Sequence, residues 1–306
     1  MIGFDSIKSA LLNSHQNNKL HHAILLHGKK GIGKASFAKD FVTEIFDSQN
    51  RNNPANHPDL LLIEKEAEKK EISVDKIRKI SDFLNQTSAI SKDKFIIIDA
   101  ADELNKSSSN ALLKILEEPH NNNFLILIAH NTNKVLATIR SRCQIVKVSD
   151  LSYENFVEIL RQNNPKISDD EIAILSEICD NSPAKALRYG QDLVDLYQVF
   201  LTSLQQRKID DKIYKKISDK NFSFDIFSEI LEFFFGRLIK FLSGAEVDFY
   251  FEEKEIFLNI RANFTLEKIF TISDAVRNSL HKTKSLNLDK KLSFINIFNQ
   301  INISDK

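Results

Sequence analysis

Cysteine, glycine and proline are all scarce in this chain, and neither sign of charge predominates. Two cysteines, Cys143 and Cys179, are too few for a disulfide framework and are not spaced as metal ligands, which suits a reducing compartment. Lysine plus arginine equals aspartate plus glutamate at 42 each, so no overall field draws the chain to nucleic acid, and any basic surface must be local. No run approaches the ~18 apolar residues of a membrane helix. The most apolar region, around residues 231–242, is interrupted by Glu232, Arg237 and Lys240. The opening residues Met1-Ile2-Gly3-Phe4-Asp5 lack the basic and apolar regions of a signal peptide, so a cytoplasmic location is expected. What remains is ordinary for a globular protein: 306 residues, 42% apolar and 27% charged, enough for two or three domains.

Three of the seven glycines fall in one stretch, Gly28-Lys29-Lys30-Gly31-Ile32-Gly33-Lys34-Ala35-Ser36. Ala23-Ile24-Leu25-Leu26-His27 before it is an apolar run, and Phe37, Phe41, Val42 and Ile45 after it recur at helical spacing. Strand, glycine loop and helix make the setting of a phosphate-binding loop. Gly28, Gly31 and Gly33 let successive N–H groups face one phosphate, and Lys34 supplies a point charge to the outer phosphates. The hydroxyl that should follow the lysine and bind magnesium is absent, because Ala35 stands there. A helix turns about 100° per residue, so Ser36 points elsewhere. The loop can hold ATP or ADP weakly and is poorly built to use either.

In chain order, residues 4–19 read as an amphipathic helix, 47–56 as an Asn-rich loop, Leu60–Ile63 as a short buried strand and 64–71 as a solvated charged loop. Ser73 is expected to cap a helix carrying Val74, Ile77, Ile80 and Leu84. Phe95-Ile96-Ile97-Ile98-Asp99 is a strand ending in a carboxylate, spaced from the glycine loop as a Walker B strand whose Asp99 orders magnesium. The second carboxylate, which would orient an attacking water, is replaced by Ala100. Ser107-Ser108-Ser109 is expected to cap a helix over 110–118, stopped by Pro119. Runs at 124–129 and 145–148 complete five strands alternating with helices. That pattern makes a parallel, doubly wound α/β sheet with ligands at the carboxyl ends of its strands, where 28–36, Asp99 and His130-Asn131 all lie. Beyond Leu151 the strand pattern stops. Residues 153–162, 168–179 and 182–190 read as three short helices of a small lid, and 194–204, 224–242, 266–280 and 286–301 as longer helices. Phe233, Phe234 and Phe235 mark a helix too apolar to be freely exposed.

The order of these parts is the AAA+ plan. The resemblance becomes specific at Asn110-Ala111-Leu112-Leu113-Lys114-Ile115-Leu116-Glu117-Glu118-Pro119 followed by Ser141-Arg142-Cys143, which resembles the clamp-loader signature. Leu20-His21-His22-Ala23 ahead of the loop and His57-Pro58-Asp59 ahead of a strand are similar to the delta-prime type of subunit in bacterial DNA polymerase III. Recognisable motifs cover roughly residues 1–190. The remainder is matched by length and helical character alone.

The resemblance implies an α/β fold with an AAA+ P-loop domain and parallel five-stranded sheet over 1–150, a small helical lid over 151–191 and an all-helical collar over 192–306. It implies a subunit that scaffolds a pentameric clamp loader and lacks ATPase activity of its own, within a larger nucleotidyltransferase. Its partners would be motor subunits, a delta subunit, a sliding clamp and primer-template DNA, with no membrane. Arg142 would be an arginine finger acting in trans on a neighbour's γ-phosphate, suited to it by a planar, permanently charged fork. Spacing leaves Arg140 as a competitor. No residue would catalyse in cis, and the lid's usual nucleotide-sensing arginine falls at Ala184, with Lys185 one residue off. The helix N-terminus at Ser73, with Lys76 and Lys79, would face DNA phosphates without reading sequence, although a solvated helix face accounts for both lysines equally well. Motor subunits carry a four-cysteine module where residues 46–63 here contain no cysteine, so zinc is not expected. Two other readings compete. An autonomous ATPase, a motor subunit or a related DNA-remodelling enzyme, would need a hydroxyl at 35 and a carboxylate at 100. A nucleotide-independent interaction protein would have no use for Gly33 and Lys34.

Overall fold

The apolar runs of the first half become five parallel strands, β1 (Ala23–His27), β2 (Leu60–Ile63), β3 (Lys94–Asp99), β4 (Asn123–Ala129) and β5 (Gln144–Lys147), in the order β2-β3-β4-β1-β5. Register pairs Ala23 with Leu125 across β1 and β4, Ile24 with Gln144 across β1 and β5, and Ile96 with Leu125 across β3 and β4. Successive side chains of a strand alternate between faces. Ile24, Leu26, Phe95, Ile97, Ile126 and Ile128 therefore form one apolar layer, packed with residues of α1 (Asp5–Gln16) and α2 (Lys34–Ser48). Leu25, Ile96, Ile98, Leu125 and Leu127 form the other, packed with α3 (Val74–Asn85), α4 (Lys106–Glu117) and α5 (Ala137–Arg140). The result is the parallel α/β sheet that the sequence implies, covered on both faces.

These elements are described by a computed structural model over residues 2–48, 57–66, 69, 71–119, 121–219 and 223–301. Of the loop expected at 47–56, Asp47 and Ser48 instead end α2, and the rest lies outside the described residues. The chain divides into two units: Met1–Ile159 with Ser182–Ala184, and Leu160–Asn181 with Lys185–Lys306.

The second unit is helical. It draws on the end of α6 (Tyr153–Asn163), α7 (Asp169–Ile178), most of α8 (Pro183–Gln205), α9 (Asp211–Ser218), α10 (Asp225–Leu242), α11 (Glu253–Asn263), α12 (Leu266–Ser285) and α13 (Lys290–Ile301). Ser168 closes a capping box with Glu171 at the start of α7. Phenylalanines fill the core, Phe234 against Phe200 and Phe257, and Phe227 against Phe294. Arg237 of α10 is buried among them. Its Nε and Nη2 donate to Glu253 at 2.9 Å each, its Nη1 to Glu177 at 2.5 Å, and its guanidinium lies 4.4 Å from the centre of the Tyr250 ring. Burial opposes that charge, but Glu253 and Glu177 more than restore it, so its pKa is raised.

Three expectations about helices are corrected. Asn105, not the serine run, caps α4 through its side chain, which accepts from Ser108 N at 2.9 Å; Ser108 and Ser109 lie buried inside the helix. Ser73 stands at the N-cap of α3 but makes no capping hydrogen bond with its side chain. The helices expected at 182–190 and 194–204 are one 23-residue helix, α8. Pro183 opens it, where a missing N–H has no intrahelical partner to lose. No described helix is long and apolar enough to cross a membrane.

Candidate functional site

The glycine loop leaves the carboxyl end of β1, between β4 and β5 in the sheet. Gly28 donates its N–H to Ala129 O at 3.4 Å, and a Cβ there would meet Val148 O at 2.5 Å, so only glycine lets the loop start this close to the chain leaving β5. Gly31 and Gly33 hold φ of 84° and 99°, the left-handed region that curls the loop back toward α2. Lys34 opens α2 and is 2% exposed. Its ammonium donates to Gly28 O at 2.8 Å, Lys29 O at 2.5 Å and His130 Nδ1 at 3.1 Å. Burial pushes the Lys34 pKa down to about 8, with Asp99 and Asp102 acting against a further fall. Ala35 packs on the apolar layer and Ser36 is exposed.

Asp99 ends β3, half-buried, and the chain turns at Ala100 in a left-handed conformation (φ 68°) into a tight turn over Ala101–Glu103. Asp102 at this turn and His130 after β4 carry more of the geometry than their sequence context suggests. Asp102 accepts the His130 and Asn131 N–H groups at 3.1 and 3.0 Å, which fixes the end of β4 beside the loop. His130, so placed, reaches Lys34; burial and the lysine charge lower its pKa, leaving a neutral imidazole to accept. Ser182 Oγ donates to Lys30 O at 3.4 Å and Ala184 N to Gly31 O at 3.1 Å, bringing the expected sensing position, Ala184, onto the loop itself.

Arg142 follows α5. Its Nη1 donates to Thr138 O at 3.0 Å and its Nη2 pairs with Glu117 of α4 at 2.9 Å, with the side chain 37% exposed. The two signature motifs thus touch through their charged residues, leaving further N–H groups of the fork uncommitted. Arg140 is more enclosed, its Nε buried without a hydrogen-bond partner. The other candidates are more dispersed. Lys76 turns its ammonium onto Glu64 O at 2.6 Å and pairs with Glu66 at 3.4 Å, whereas Lys79 and the neighbouring Arg78 are exposed. Asp59, 1% exposed, accepts the N–H groups of Ala89, Ile90 and Ser91 at 2.8, 2.9 and 2.6 Å. Burial alone would raise its pKa, but these three bonds and His57 bring it below the ordinary value. Among the described residues no cluster of three or more His, Cys, Asp or Glu could hold a metal ion.

Residues 4–152 match the model of the family described as DNA polymerase III, delta subunit. Over this stretch, just under half of its length, the chain is similar to clamp-loader subunits. It is delta-prime-like there: subunit delta' of DNA polymerase III from Buchnera aphidicola subsp. Baizongia pistaciae is 30% identical over 114 residues, 34% of this chain and 33% of that protein. Subunit gamma from Buchnera aphidicola subsp. Schizaphis graminum is 31% identical over 201 residues, 61% of this chain and 55% of that protein. The matches thus span about a third of the first relative's length and about half of the second's. A DNA polymerase III gamma subunit-related protein from Thermotoga maritima shares the fold, with a TM-score of 0.53 over 98% of both chains at 21% identity. Both clamp-loader motifs, 110–119 and 141–143, fall inside the matched stretch.

Proposed function

We propose that this clamp-loader chain is a non-catalytic subunit that presents Arg142 to a nucleotide bound by a neighbouring motor subunit. The observation that carries this is the geometry of Arg142: a half-exposed fork, aimed by Glu117 and Thr138, with donors to spare for phosphoryl oxygens. The chain's own loop supports the same division of labour, since Ala35 and Ala100 stand where magnesium and the attacking water would be ordered. On this reading the ring is a hetero-pentamer with delta and motor subunits, residues 151–191 are its lid and 192–306 its collar. It loads a sliding clamp on primer-template DNA in the cytoplasm, without zinc and with at most weakly held ATP or ADP. Ser73 and Lys79 are the stronger DNA-facing candidates; Lys76 would first have to leave Glu64. The motor-subunit reading gains from the longer match to a gamma subunit but requires chemistry that positions 35 and 100 do not supply.

The test is Arg142→Ala in the reconstituted complex. Folding and assembly should survive, while ATP hydrolysis and clamp loading fall. An arginine finger contributes roughly 10³–10⁵ at one site, so the loss summed over a ring should be smaller. Arg142→Lys should not restore activity, because an ammonium cannot reproduce the planar fork. If Arg140→Ala carries the defect, the register assigned to the motif is wrong; if neither substitution matters, the trans-activating role is lost.

A further inference from the structure

An ammonium has three hydrogens to donate, and Lys34 places three acceptors within 3.1 Å of its nitrogen. Two are carbonyls of its own loop and the third is the His130 imidazole, so no hydrogen is left over for a phosphate. The loop is also held from outside. Ser182 and Ala184 donate to Lys30 O and Gly31 O, and a Cβ on Gly31 would collide with Ser182 Oγ. These outer bonds use carbonyls of the loop. Its N–H groups, the part that would cradle an anion, are not what they consume.

We propose that His130 and the Ser182–Ala184 segment are positioning residues that hold Lys34 and the glycine loop bonded to themselves, so that a nucleoside diphosphate or triphosphate engages Lys34 only by displacing His130 and reshapes the loop only against the hold of Ser182 and Ala184. This rests on reading residues 28–34 as a nucleotide loop and is independent of what Arg142 does. It gives the chain a conditional nucleotide site in place of a merely decayed one. Affinity is then set as much by what holds Lys34 as by the residues that would touch phosphate. His130 is fixed for this role by its own backbone, through the Asp102 carboxylate.

The experiment is equilibrium titration of the full chain with a fluorescent ADP analogue at constant magnesium, with folding followed by circular dichroism. His130→Ala removes the acceptor and should tighten binding about ten-fold, the worth of one hydrogen bond to a charged group. His130→Gln keeps an acceptor in reach and should stay near the wild type. Ser182→Ala, on the other side of the loop, should tighten binding about two-fold to three-fold, in keeping with a longer and neutral bond. Lys34→Ala should abolish the gain of His130→Ala in the double variant. Weaker binding by His130→Ala would make the imidazole a phosphate contact and overturn the proposal. So would equal tightening by the Ala and Gln variants, or the absence of binding in every variant. Binding unaffected by Lys34→Ala would instead remove the nucleotide-loop reading on which the proposal stands.

Discussion

Lys34 in the first unit and Arg237 in the second are both buried cations, 2% and 4% exposed, but their partners differ in kind. Lys34 is satisfied by two carbonyls and an imidazole, all neutral, and its pKa falls. Arg237 is satisfied by two carboxylates, by Asp248 O and by the face of Tyr250, and its pKa rises. A buried cation without a bonded anion is in surroundings that favour one arriving; a buried cation already paired has a structural task completed. On the proposed reading of residues 28–34, the contrast separates a site from a strut. Asp59 is a third case, an anion held chiefly by neutral N–H groups, with the His57 ring 3.9 Å away.

Three substitutions put this comparison at risk. The largest effect belongs to Arg237→Ala, which strands the Glu253 carboxylate at 0% exposure and should cost about 3–5 kcal/mol. Urea unfolding read by tyrosine fluorescence suits it, since Tyr189, Tyr197, Tyr214 and Tyr250 all belong to the second unit. A cost below about 1 kcal/mol would mean that the pairing is not what holds these helices. Asp59→Ala should come next, at about 2–3 kcal/mol, because it leaves three N–H groups, that of Ser91 buried, without their acceptor. Since the folded carboxylate titrates below its ordinary range, the unfolded chain binds more protons in acid. Asp59's contribution is therefore complete at neutral pH and is lost as the pH falls below about 4. The variant should flatten that acid limb of stability against pH. Lys34→Met should change stability least, by less than about 1 kcal/mol, because it strands no ionic partner and the acceptors it releases belong to Gly28, Lys29 and His130, none of them fully buried, where water can replace the ammonium. In the wild type, stability should climb between pH about 8 and about 10.4, where the unfolded lysine keeps a proton that the folded one has released. The methionine variant should lack that climb. A loss as large as that of Arg237→Ala would erase the distinction.

The first unit was readable because its signals are local. Each strand is a short apolar run closed by a glycine, an acid or a polar pair, as at Gly28 and Asp99, and period-two alternation follows from the backbone alone. The strand order was not readable, being a matter of which runs meet. Asn105 capping α4 escaped notice because three serines nearby are equally good cap formers, and only the structure shows which residue has extended backbone. The break expected within α8 falls at Gly190, which proves to be a packing glycine: a Cβ there would sit 3.2 Å from Leu175. The helices α9 and α11 went unrecognised among charged residues. In the site, Lys34, Asp99 and Arg142 carry motif spacing, whereas Asp102 and His130 act through contacts 28 and 96 residues apart. Arg237 reads as an interruption of an apolar helix, and its meaning lies with Glu177, 60 residues away.

The bond between Glu117 and Arg142 bears on timing and selectivity as well as position. A long cationic side chain carries about 2 kcal/mol of rotamer entropy, most of which is normally surrendered on docking. Here part of that ordering occurs when the chain folds, so an approaching anion meets an arginine that need not search for its orientation. If Arg142 acts as proposed, Glu117 also sets a threshold. Whatever takes the fork must compete with a carboxylate already in place, a contest that favours the densely charged end of a polyphosphate over a lone carboxylate or a chloride ion. On the role proposed for Arg142, the acidic end of one motif would act as a discriminator for the basic residue of the other.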